Sequence, residues 1–97
     1  MKSIEIISLR TTMNLEPQVY TDLYAMCQEV KESSEPYADL YTNADAPGDL
    51  AIILLWGGRS RKREKSNLGQ RLSAALKRFG LVDHIVWVTT EKGIGTG

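Results

Sequence analysis

The run Leu50-Ala51-Ile52-Ile53-Leu54-Leu55-Trp56 constrains this 97-residue chain more than any other stretch. Leu50, Ile52, Leu54 and Trp56 fall on one side and Ala51, Ile53 and Leu55 on the other, so a strand here has two apolar faces and needs cover on both. Pro47-Gly48 before the run and Gly57-Gly58 after it cut it to strand length, and it is too short to cross a membrane as a helix. It is expected to be a central strand.

The rest of the chain is organised around it. Ile4 to Arg10 is a second strand, with Ile4 and Ile6 on one face and Ile7 and Leu9 on the other. Pro17 suits the first turn of a helix, along which Val19, Leu23, Met26, Cys27 and Val30 form one apolar stripe. Ser33-Ser34-Glu35-Pro36 stops it. Tyr37 to Asn43 alternates Tyr37, Asp39 and Tyr41 with Ala38, Leu40 and Thr42; its leading proline and its charge suit a sheet edge. Ala46-Pro47-Gly48-Asp49 turns the chain back as a hairpin. A second helix is expected from Ser66 as N-cap, with Leu68, Leu72, Ala75, Leu76 and Phe79 as its stripe, Lys77 and Arg78 in its last turn and Gly80 after it. Val82 to Thr90 is the last strand, and residues 91–97 are expected to be a flexible tail beyond a single domain spanning 1–90.

The order is βαββαβ, and the two helix stripes correspond, Val19 with Leu68 and Leu23 with Leu72. This predicts an α+β, ferredoxin-like fold, a four-stranded antiparallel sheet with both helices on one face. A domain of this size buries roughly 60–70 % of its unfolded surface. A second apolar sheet face is therefore a liability, and a second copy of the chain is the economical cover.

In element order and face patterning from Ile4 to Thr90, the chain resembles the dimeric α+β barrel proteins, among them the antibiotic-biosynthesis monooxygenase-like proteins. The resemblance rests on no short motif. It implies a homodimer packed sheet to sheet around an internal cavity; members include cofactor-free monooxygenases, haem-degrading enzymes, isomerising enzymes and proteins of no known activity. It implies no catalytic residue by position.

Net charge is zero, but eight of the twelve basic residues lie between Arg59 and Arg78 and six of the twelve acidic ones between Glu29 and Asp49. Such opposed patches steer partners locally and argue against a surface tuned as a whole for nucleic acid. RNA-recognition domains share the βαββαβ order, but Ala51-Ile52-Ile53-Leu54-Leu55 lacks the aromatics that stack bases. The single cysteine, Cys27, rules out an internal disulfide and a cysteine zinc cluster; on a core stripe it is expected to act as a small hydrophobe. Glu5 breaks what would be the apolar core of a signal peptide, so a cytoplasmic location is the expectation.

Three candidate sites emerge. His84, the only histidine, is a candidate acid or base; with no second histidine it is a poor metal ligand, and a strand-end or surface position is its plainer explanation. Trp56 and Trp87, with Tyr37 and Tyr41, are expected to line the sheet face away from the helices, either as interface packing or as a pocket for a small aromatic molecule. Gly57, Gly58, Arg59, Arg61, Arg63 and Ser66 combine backbone amides, positive charge and a helix start, the ingredients of an anion site, without the phosphate-loop spacing; Gly57 to Lys65 is expected to be the most mobile internal segment. No cofactor is called for. Two function classes stay open at this level: a cofactor-independent, monooxygenase-like enzyme acting on a small aromatic molecule, and a non-catalytic binding or regulatory module with an anion-binding basic loop.

Overall fold

A computed structural model describes residues 2–12, 14–31, 35–46, 48–57 and 65–90. The elements follow as β1 (Ser3–Arg10), α1 (Pro17–Lys31), β2 (Tyr37–Thr42), β3 (Leu50–Trp56), α2 (Asn67–Leu76), a 3₁₀ turn (Lys77–Phe79) and β4 (Leu81–Val88). All strand pairs are antiparallel and the sheet order is β2-β3-β1-β4, which is the ferredoxin-like arrangement. The expected α+β fold is therefore present. The two-faced strands β1 and β3 hold the interior positions and polar β2 is an edge, because the strands richest in apolar side chains gain most from a neighbour on each side.

Local sequence sets the element ends. Pro17 opens α1, with the Val19 amide donating to the Glu16 carbonyl at 2.9 Å. Ser66 caps α2 as anticipated, its Oγ accepting the Gly69 amide at 2.9 Å. The helix stops at Leu76, earlier than the stripe implied, and Phe79 packs from the 3₁₀ turn instead. Gly80 follows that turn in extended backbone rather than the left-handed form usual after a helix; glycine is needed because a Cβ there would run into the Arg10 carbonyl. In the β2–β3 connection the Asn43 side chain accepts the amides of Asp45 (2.8 Å) and Ala46 (3.1 Å); Pro47 lies outside the described residues.

Register then decides the faces. Ile7, Leu9, Leu50, Ile52, Leu54 and Ala38 point to the helices and pack with Leu23, Cys27, Leu72 and Leu76. Each such fully buried aliphatic side chain contributes about 1.5–3 kcal/mol, so this layer holds the fold together. The other face carries Ile4, Ile6, Ile53, Leu55, Ile85, Trp87, Tyr37 and Tyr41 with neither described helix over it, and Trp87 is 62 % exposed. Among the described residues no helix is long and apolar enough to cross a membrane.

Candidate functional site

One position on the helix-covered face breaks the apolar pattern. Along β1 the covered positions run Ser3, Glu5, Ile7 and Leu9, and Glu5 is completely buried. An isolated carboxylate there would be very costly, so it must find donors. It finds three. Trp56 Nε1 donates to Oε1 at 2.7 Å, the Ser66 amide donates to Oε2 at 3.0 Å, and His84 Nε2 lies 2.6 Å from Oε2.

The register explains the convergence. Glu5 pairs with Leu54 on β3 and Val86 on β4, while Trp56 and His84 sit one same-face step away on those two strands, within diagonal reach. Ser66 adds the start of α2, where the helix dipole and the free amides favour a negative charge. Gly69 makes the approach possible: a Cβ on it would collide with Glu5 Oε2 and crowd the His84 ring. The cluster thus ties β1, β3, β4 and the first turn of α2 to one carboxylate.

Burial by itself would push the Glu5 carboxyl up, but hydrogen bonding from Ser66, His84 and Trp56 outweighs it and holds the group below its ordinary value of 4.5. Glu5 is therefore ionised at neutral pH and acts only as an acceptor. In the neutral imidazole the proton facing it sits on Nε2, which leaves the lone pair on Nδ1.

A lowered folded pKa has a stability consequence of definite sign. The unfolded chain takes up the Glu5 proton at higher pH than the folded one, so this contribution is complete above about 4.5 and is lost as pH falls through the lower folded value. Urea unfolding followed from neutral pH downward should show that loss, and Glu5→Gln should lack this component. An identical acid dependence in the variant would assign the loss to other carboxylates.

Sequence-predicted residues divide between two places. His84 is neither a surface nor a strand-end residue: it lies within β4 and its side chain is only 6 % exposed. Trp56 is not on the open face with Trp87, Tyr37 and Tyr41, because it shares the covered face of β3 with Leu50, Ile52 and Leu54 and donates its indole N–H to Glu5. The aromatic set therefore splits. Cys27 is buried in the core beside Leu23.

Of the anion-site residues, Ser66 has both its amide and its hydroxyl committed within the chain, to Glu5 and to Gly69. The anion at this helix start is the protein's own. Gly57 ends the described part of the segment, and Gly58, Arg59, Arg61 and Arg63 lie outside the described residues, as do the expected mobility of that loop and the tail at 91–97. Glu5 was the functional residue that the pattern could have revealed: it alternates with Ile7 and Leu9, a charge in core register. Among the described residues no group of three or more His, Cys, Asp or Glu side chains is placed to hold a metal ion.

Comparison with protein-family models, with curated proteins and with solved structures finds no match.

Proposed function

We propose that two copies of this chain pack open sheet face to open sheet face as an α+β barrel and hold a small, flat aromatic molecule between the sheets. The observation that carries this is the uncovered face itself, where Ile4, Leu55, Ile85, Trp87, Tyr37 and Tyr41 all stand exposed on contiguous strands. Monomers seldom leave more than about 300–600 Å² of contiguous apolar surface in water, and a standard interface takes about 800 Å² from each partner. A four-stranded sheet face is of that order. Arg10, Asp39 and Asp83 stand on the same face and bring both signs of charge, which a two-fold interface can pair.

Binding is favoured over oxidation. His84, the candidate acid or base, and Trp56 belong to the opposite face, and the open face keeps Trp87, Tyr37 and Tyr41, which supply rings for stacking and phenolic tips for orientation. The alternative, a regulatory module working through the basic loop, draws less support because Ser66 is already engaged.

Light scattering at micromolar concentration should give twice the 10.8 kDa chain mass. Thermal shift with phenols, quinones and haem should then raise the melting temperature with ligand concentration, because a ligand that binds only the folded state stabilises it. A stable monomer removes the reading altogether. A dimer unresponsive to all three ligand classes removes its ligand half.

A further inference from the structure

On the outer side of the Glu5 cluster, β4 and α2 border an open depression of about 560 Å³, lined by Lys65, Gln70, Ser73, Lys77, Val82, Asp83, His84 and Ile85. The side chains at its floor have unused hydrogen-bonding capacity. Glu5 takes His84 Nε2, and His84 Nδ1 has no hydrogen-bond partner among the described residues. Ser73 is only 9 % exposed, and its side chain makes no hydrogen bond among the described residues, its Oγ still reaching solvent.

The placement of these groups follows from the fold. Gly69 lets α2 press against the Nε2–Cε1 side of the imidazole; Ser73 follows one turn on along the same helix, and Lys77 opens the 3₁₀ turn that continues it. Lys65 precedes the N-cap, and both lysines are exposed at the rim. Two ammonium groups call for an anion. An imidazole lone pair, left on Nδ1 because the proton of the neutral ring is committed to a buried carboxylate, calls for an O–H donor. Ser73 and Gln70 can donate or accept.

We propose that this depression is a binding site for a small hydroxylated anion, with the ligand's hydroxyl donating to His84 Nδ1, Ser73 Oγ hydrogen-bonded beside it, and its charged group held by Lys65 and Lys77. The site lies on the helix side of the sheet at the β4 edge, and it stands or falls separately from the sheet-to-sheet dimer.

Because His84 is the only histidine, its two ring nitrogens can be followed by ¹⁵N NMR without ambiguity. Glycerol 3-phosphate is the probe, at a pH where the free protein shows Nδ1 unprotonated, with glycerol and sulfate as controls. The phosphate ester should move the Nδ1 resonance and the backbone signals of Ser73 and Lys77; glycerol should do neither, and sulfate should bind more weakly and leave Nδ1 in place. Ser73→Ala should weaken binding about two- to tenfold, as expected for one hydrogen bond, while the Glu5–His84 pair stays intact. Lys77→Ala should weaken it and flatten its salt dependence. Sulfate binding as tightly as the ester, or Ser73→Ala binding like the parent, would reduce the site to surface charge and overturn the proposal. So would an Nδ1 signal that never responds.

Discussion

Replacing Glu5 by alanine should destabilise the fold by about 3–5 kcal/mol, the scale of several hydrogen bonds to one charged group lost together at about 1.5–3 kcal/mol each. The loss is large because one carboxylate serves three donors on three elements: the Trp56 indole, the Ser66 amide and the His84 ring. Without it the Ser66 amide and the indole N–H lose their bond to the carboxylate, and the first turn of α2 loses the negative charge at its positive end. For a domain of this length the melting temperature should fall by on the order of 15–30 °C. Glu5→Gln keeps the shape but presents one acceptor oxygen and a competing NH₂, so it should fall between parent and alanine. Urea unfolding of all three proteins measures this ordering. A loss below about 1 kcal/mol for the alanine variant would mean that water replaces the carboxylate and that the cluster is not structural.

Adjacent residues of β3 should respond in opposite ways to the same substitution. Leu54 has no exposed surface and pairs directly across from Glu5 on the covered face, so Leu54→Asp would place a second carboxylate beside one whose donors are already engaged. Desolvation and like-charge repulsion add, and a cost above about 4 kcal/mol is expected, enough to leave most small domains unfolded. Ile53 points the other way, onto the open face, where it pairs with Ile6. Ile53→Asp should keep the native circular dichroism spectrum and yield a monomer, since two copies of the new charge would meet across a two-fold interface. Circular dichroism with light scattering on both variants separates the two faces. Unfolding by Ile53→Asp, or an Ile53→Asp protein that still dimerises, would remove the sheet-to-sheet assembly.

Much of this architecture was legible before any coordinates. Apolar alternation in Leu50 to Trp56 and Ile4 to Leu9, the proline before Tyr37 and the serine cap at Ser66 are local signals with local causes, and the strands, the helix starts and the edge position of β2 followed from them. Periodicity also assigned each residue to one of two faces within its own strand. It could not say which face of one strand lies beside which face of the next, because that depends on register between segments tens of residues apart. Hence Trp56 was grouped with Trp87 by residue type, although the pairing Ser3 with Trp56 puts it beside the covered positions of β1.

The site was less legible than the fold for the same reason. No motif links Glu5, Trp56, Ser66 and His84, since their separations are set by the lengths of the intervening elements rather than by chemistry. Only the folded sheet, with β1 between β3 and β4 and the start of α2 laid above, brings one carboxylate within hydrogen-bonding distance of all three partners. Local propensity determined what the segments are. The antiparallel register decided which polar groups are buried together, because burial leaves a charge no alternative to the donors that the neighbouring strands provide.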